Sequence, residues 1–179
     1  GTIDVTPPPG AFLQATEHGE HSLQQAVAEI MAGHNYIADL FAGCGTLSLS
    51  LIDQLSGLMA VESDIAALTA LKAGVDASGH GGRLTTQDRN LFHVPLLPEE
   101  LAGITGVILD PPRSGCNEVL SEMSLKSVKK VVYVSCNPIM FARDAAVLNR
   151  LHHFELKEVG VLNMFPHTSH FECVGSFER

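Results

Sequence analysis

The sequence predicts an α/β fold: a mostly parallel sheet of seven strands with helices on both faces. Three observations carry this. Short apolar runs alternate with amphipathic helical stretches along most of the chain, the order a parallel sheet requires because each crossover must return over the sheet. A glycine-containing turn, Phe41 to Gly45, joins the first strand to a helical stretch. The β-branched run Val131 to Val134 ends in Ser135-Cys136-Asn137-Pro138. Pro138 has no N–H for a strand ladder and forces Asn137 out of helical geometry, so a buried strand stops there. With 179 residues, 45% hydrophobic and only 17% charged, the chain suits one domain with a sizeable core.

The elements follow in order. Thr6 to Gly10 is a stiff, extended entry and Ala11 to Ala15 a short extended piece, so residues 1–21 form a lead-in. Leu23, Val27 and Ile30 recur at helical spacing and predict a helix from Ser22 to Met31, stopped by Gly33-His34-Asn35. Tyr36 to Leu40 is the first strand, and Thr46 to Leu55 reads as helical. Gly57 to Val61 is the second strand, closed by Glu62. Asp64 caps a helix running to about Ser78, which Gly79 to Gly82 breaks. Leu84 to Gln87 is a third strand and Gly106 to Leu109 a fourth. Glu118 to Lys126 is a helix, the Cys136 strand is fifth, and Ile139 to Arg150 is the last helix. Phe154 to Leu162 and Phe171 to Phe177 close the sheet.

Composition excludes several classes. The formal net charge of −9 argues against a generic nucleic-acid-binding surface, which would be basic. No stretch approaches the ~18–20 apolar residues of a membrane span, and no signal peptide is visible. Cys44, Cys116, Cys136 and Cys173 form no C-x-x-C pair and no disulfide framework, which disfavours zinc and points to a reducing cytoplasm. The chain opens on Gly1 and not on Met, so a preceding portion is expected.

Four stretches carry chemistry. Asp39-Leu40-Phe41-Ala42-Gly43-Cys44-Gly45-Thr46 lies between strand and helix, where Gly43 and Gly45 let backbone approach a ligand. A dinucleotide fingerprint needs a third glycine, but Ser48 stands there, so a nicotinamide cofactor is disfavoured. Asp39 before the turn and Glu62 at the end of the next strand suit a nucleoside without a pyrophosphate, namely S-adenosylmethionine, with Glu62 accepting from a ribose diol. Asp110-Pro111-Pro112-Arg113 freezes a carboxylate at a strand end. A rigid turn capped by Asp110 explains that motif as well as a ligand site does. Arg113 suits a phosphate or carboxylate partner, or solvent. Cys136 sits at the carboxyl end of a strand, where open α/β sheets bind ligands, and is a candidate nucleophile. Buried, inert thiols are nonetheless the commoner fate of a lone cysteine. In Met164 to Glu172, Glu172 is a candidate base if burial raises its pKa, although an isolated glutamate is more often a surface strand residue. His167 and His170 have no third ligand in view, so no metal is expected.

Taken together and in this order, D-L-F-A-G-C-G-T, D-P-P-R-S-G, S-C-N-P-I-M-F-A-R-D and F-P-H-T-S-H-F-E closely resemble the RNA uracil-5-methyltransferase family, which makes 5-methyluridine in tRNA and 23S rRNA. The resemblance runs from about Ala11 to the C-terminus. It implies a Rossmann-like, class I S-adenosylmethionine-dependent methyltransferase domain. It implies that Cys136 is the nucleophile and Glu172 the proton-abstracting base. Cofactor contacts are implied for Gln14, Phe41, Glu62, Asn90 and Asp110, and Thr46 stands where the family often has asparagine. Such chemistry needs both catalytic residues because C5 of uracil is a poor nucleophile until a thiolate adds at C6. The target base must also be flipped out of its RNA.

Family members usually carry an N-terminal RNA-binding β-barrel, and some an iron–sulfur cysteine cluster. Neither is visible in this sequence, so RNA binding is expected to need a further domain. The chain alone is expected to bind cofactor without efficient turnover. Two readings compete. A methyltransferase acting on an exocyclic amine would use D-P-P without Cys136, and a non-catalytic cofactor-binding or RNA-interaction module would form no covalent adduct.

Overall fold

In a computed structural model, which describes residues 3–11, 16–163 and 171–179, the chain forms a seven-stranded sheet ordered β3-β2-β1-β4-β5-β7-β6. The strands are β1 (Tyr36–Leu40), β2 (Gly57–Glu62), β3 (Leu84–Asp88), β4 (Gly106–Leu109), β5 (Lys130–Ser135), β6 (Glu155–Leu162) and β7 (Glu172–Glu178). The helices are α1 (Glu17–Ile30), α2 (Ile65–Ala77), α3 (Asn117–Glu122) and α4 (Pro138–His152). β1 to β5 pair in parallel, and β7 runs antiparallel between β5 and β6. This is the Rossmann-like α/β architecture expected.

Strand alternation divides the core between the two faces. Ala38, Leu40, Val107, Leu109, Val131 and Tyr133 point one way, into α3 (Val119, Leu120) and α4 (Phe141, Leu148). Ile37, Leu58, Ile108, Val132 and Val134 point the other way, against Leu23 and Val27 of α1. Ala60 meets Leu68, Leu71 and Val75 of α2 on that second face. β7 takes an interior place because Cys173 to Phe177 are all buried. β6 takes the edge, carrying Glu155, Lys157 and Glu158 on an almost wholly exposed strand with an irregular register at Leu156/Glu158. Charges and irregularities of that kind keep an open edge from pairing further.

Most boundaries agree with the periodicity, and the differences have local causes. α1 begins five residues earlier than the Ser22 start that its apolar stripe predicts. Thr16 caps it by accepting from Gly19 N at 3.1 Å, and Glu17 and Glu20 suit the positive end of the helix dipole. The stretch Thr46 to Leu55 is not an α-helix. Turns run through Ser48, and only Leu49–Gln54 is helical, with 3-10 geometry. Gly43 and Gly45 hold left-handed backbone there, and Ser50 Oγ donates to Leu47 O at 3.0 Å, a local bond that favours the tighter turn. α3 stops at Glu122, short of Lys126, because the chain extends to bury Met123, Leu125 and Val128. The expected Asp64 cap is present, and Asn137 also caps α4, each accepting from two backbone N–H groups. Asn137 is extended, as a residue before proline should be.

Gly175 lets α4 lie on β7. A Cβ built there would stand 2.5 Å from Phe141 Cζ and 2.9 Å from Phe177 Cε2, and both rings are buried. Gly175→Ala is expected to destabilise the fold by about 1–3 kcal/mol through overpacking, measured as a lower denaturant midpoint with an unchanged slope.

Candidate active site

The carboxyl ends of β1 to β5 and the amino end of β7 open into one cavity of about 690 Å³. In doubly wound sheets this is the ligand edge. The reversed direction of β7 brings Glu172 there. Ser135 pairs with Cys173 in the antiparallel β5–β7 ladder, so one further step sets Cys136 level with Glu172. Both line the cavity, although 36 residues separate them in the chain.

At the end of β1, Asp39 is 1% exposed, and its Oδ2 has no hydrogen-bond partner among the described residues. Burial, with the Glu62 charge adding, pushes its carboxyl up to about 7. Phe41 then takes φ 65, a left-handed conformation that is strained for a bulky side chain. Phe41 N and Ala42 N both donate to Val61 O, at 3.0 and 3.1 Å, and hold the chain there. The Phe41 ring stands 5.6 Å from that of Phe92, and both line the cavity.

Glu62 closes β2 with its carboxylate already engaged. Oε1 accepts from Ser63 N, Ser63 Oγ and Asp64 N, while Oε2 accepts from Gly43 N at 3.0 Å. Oε2 is therefore the oxygen with capacity to spare for a ligand hydroxyl. Thr46 lines the cavity, and its carbonyl accepts from Gln24 Nε2 of α1 at 2.9 Å. Gly45 differs from expectation, because it does not line the cavity. A Cβ there would stand 2.6 Å from Leu71 Cδ1 and 3.0 Å from Leu49 Cγ, so its glycine permits helix packing at φ 80. Gln14, His167 and His170 lie outside the described residues.

After β3, Asn90 lines the cavity and turns its own loop, its Oδ1 accepting from Phe92 N at 3.0 Å. Arg89 donates to Glu100 through both terminal nitrogens, at 2.8 and 2.6 Å, and Glu100 Oε2 also accepts from Leu97 N at 2.8 Å. This fork pins the loop carrying Asn90 and Phe92. The sequence holds no periodic signal for a pair eleven residues apart in a loop, and neither Arg89 nor Phe92 was expected at the site.

Asp110 follows β4. Burial pushes its carboxyl up to about 8, with the Glu172 and Asp39 charges adding. Burial also raises Glu172. Cys136 is raised as well, by burial first and by Glu172 next, while Arg113 pulls the other way. In the ligand-free protein this thiol therefore favours its protonated form. Five carboxyl groups (Asp39, Glu62, Asp64, Asp110 and Glu172) face two guanidinium groups (Arg89 and Arg113) around the cavity. Such a balance favours a cationic ligand.

Residues 99–179 match the model of the tRNA (uracil-5-)-methyltransferase family. The C-terminal part of the chain is therefore similar to the RNA uracil-5-methyltransferases. The chain is 38% identical over 97% of its length to an uncharacterized RNA methyltransferase of Brucella suis biovar 1, of which it covers 41%. It is 36% identical over 95% of its length to the 23S rRNA (uracil(1939)-C(5))-methyltransferase RlmD of Pseudomonas aeruginosa, of which it covers 38%. Among solved structures, the Pyrococcus abyssi tRNA (uracil-54, C5)-methyltransferase in complex with S-adenosyl-L-homocysteine superposes with a TM-score of 0.78. That pair shares 28% identity, over 94% of this chain and 40% of that one. The chain thus spans about two fifths of the length of these relatives.

The raised carboxyls give the free protein a definite pH response. Between about 4, where an exposed aspartate titrates, and the values near 7 and 8 of Asp39 and Asp110, the folded state holds more protons than the unfolded chain. Stability is therefore full below that window and falls as pH rises through it. Asp110→Asn should flatten the fall, read from denaturant midpoints at pH 5 and pH 9.

Proposed function

We propose that this chain carries the cofactor and base-binding site of an RNA uracil-5-methyltransferase, with Cys136 as nucleophile and Glu172 as base. The observation that carries the reading is the β5–β7 register, which sets a thiol and a carboxyl level with each other on one cavity. S-Adenosylmethionine fits the cavity chemically. The unpartnered Asp39 Oδ2 and the excess of carboxyl groups suit its two cationic centres. The Phe41–Phe92 pair suits an adenine, and Glu62 Oε2 a ribose hydroxyl. Asn90, Thr46, Gly43 and Asp110 complete the cofactor contacts in this reading. Gln14 is assigned to them from the sequence resemblance alone, and Gly45 acts through packing. The Pyrococcus relative, which holds the demethylated product of this cofactor, supports the assignment.

In the reaction, the Cys136 thiolate attacks C6 of a uracil. The C5=C6 electron pair moves towards C5 and O4, giving an enolate whose nucleophilic carbon is C5. When bound, S-adenosylmethionine supplies an electrophilic methyl group to that carbon. Glu172 then takes the C5 proton, the C5–H pair re-forms the C5=C6 bond, and the C6–S bond breaks to return the thiolate. A carboxyl raised by burial is a better base than an ordinary glutamate. Arg113 opposes the charges that suppress the thiolate.

RNA is the substrate in this reading, tRNA or 23S rRNA as in the named relatives. The net charge of −9 gives this chain little general hold on RNA, so the main RNA-binding surface is assigned to a portion outside these residues. The free, exposed Cys136 thiol suits a reducing cytoplasm. Among the described residues no helix is long and apolar enough to cross a membrane.

The test uses full-length protein. Cys136→Ala is expected to abolish both methylation and the covalent adduct with 5-fluorouridine RNA. Activity retained by Cys136→Ala would instead support chemistry on an exocyclic amine, and cofactor binding without any adduct would support a non-catalytic module. Glu172→Gln should still form the adduct on ordinary RNA, yet lose turnover by roughly 10²–10⁴-fold, with the protein–RNA species accumulating on denaturing gels.

A further inference from the structure

The two cavity loops that carry Asp110, Arg113 and Cys136 are fastened to one another by side chains outside the cavity. Asp144 of α4 is 0% exposed. Its Oδ2 accepts from Tyr133 Oη and from Cys116 N, both at 2.6 Å. Its Oδ1 accepts from Arg143 Nε at 2.9 Å. The same guanidinium donates to Ser114 O at 2.9 Å, and Asn137 Nδ2 donates to Arg113 O at 3.3 Å. Three backbone groups of the loop after Asp110 are thus held by the helix that follows Cys136. Gly115 sits inside the clamp, where a Cβ would be 2.5 Å from Asp144 Oδ2 and 2.7 Å from an Arg143 terminal nitrogen.

We infer that Arg143 and Asp144 are positioning residues, which hold the Arg113 loop in fixed relation to Cys136 and so set the rate of nucleophilic attack and not the affinity for cofactor. The inference rests on the reading of Cys136 as the nucleophile. Its physical basis is the cost of the arrangement. A fully buried carboxylate loses its hydration, and packing alone would be served as well by apolar side chains. What the charged fork adds is direction. The planar guanidinium holds a carboxylate and a carbonyl at once in one fixed geometry, whereas an apolar residue has no donor and the donors of a lysine ammonium rotate on a flexible stem. Tyr133 is held in its protonated, donating form by burial, and the buried Cys116 thiol is likewise pushed up. The network therefore keeps its donors across ordinary pH. Arg143 is 41% exposed through its side chain, so its removal opens no cavity in the core, and Asp144 keeps its Tyr133 and Cys116 donors.

The experiment compares wild-type, Arg143→Ala and Arg143→Lys full-length protein. Three quantities are read: S-adenosylmethionine affinity by calorimetry, the single-turnover rate of adduct formation with 5-fluorouridine RNA, and the rate of Cys136 alkylation by iodoacetamide against pH, followed by mass spectrometry. Arg143→Ala is expected to slow adduct formation at least tenfold while cofactor affinity and melting temperature stay near wild type. Alkylation should slow, with its pH midpoint moved up, because Arg113 is no longer held beside the thiol. Lysine should recover only part of either rate. An adduct rate within twofold of wild type overturns the inference, as does full recovery by lysine. A joint fall in affinity, melting temperature and rate overturns it too, by showing a general structural role. If the wild type forms no adduct, the proposed function fails. The claim on the rate of attack then falls with it, and the alkylation profile separates the two failures: an unchanged profile overturns the hold of Arg143 on the Arg113 loop as well, whereas a shifted one upholds that hold alone.

Discussion

The reversal of one strand governs the candidate site. In a wholly parallel sheet every strand would bring its carboxyl end to the ligand edge, and only residues following strands would reach it. β7 runs the other way, so the residue that opens it arrives at that edge as well. A carboxyl near the end of the chain then meets a thiol at the end of β5. The reversal is affordable because β6 and β7 form an antiparallel pair across a single connection, and because β7 is apolar enough to be buried on both faces.

Electrostatics follow from that convergence. Asp39, Asp110 and Glu172 share one partly dry cavity in which burial raises each carboxyl, and the Glu172 and Asp39 charges raise Asp110 further. Burial first, and then the Glu172 charge, push the Cys136 thiol towards its protonated form. In the proposed reaction, a positively charged cofactor would relieve this mutual repulsion and bring the thiolate within reach at the time it is needed. Arg113 lies on the one loop that both opposes the carboxyl charges and is fastened to α4. Local charge and local rigidity are therefore two aspects of one construction, since a guanidinium influences a thiol strongly only while its distance is held.

The remaining walls show strain and order in the same places. Phe41 is held in left-handed backbone by two bonds to Val61 O, and Glu62 is held by three backbone N–H groups and a hydroxyl. The Arg89–Glu100 fork pins the opposite loop. Each device prepares a side chain before any ligand arrives, which reduces the ordering that binding must impose.

Much of this was legible in the sequence. Short apolar runs and period-3.6 patterns located all seven strands and the four helices, because burial in a sheet or along a helix stripe is a local property of residue order. The cap at Asp64 was legible for the same reason, as were the strand-end motifs around Asp39, Asp110 and Cys136. The 3-10 geometry of Leu49–Gln54 was not, since an apolar spacing of 47, 51, 52 and 55 suits an α-helix equally well. Nor was the packing role of Gly45, which depends on Leu71 arriving from α2. The place of β7 between β5 and β6, the meeting of Cys136 with Glu172, the Arg89–Glu100 fork and the Asp144 network were settled only in three dimensions. Local sequence sets which residues turn inward, but partners 11 to 36 residues apart are chosen by the order and direction in which strands join the sheet.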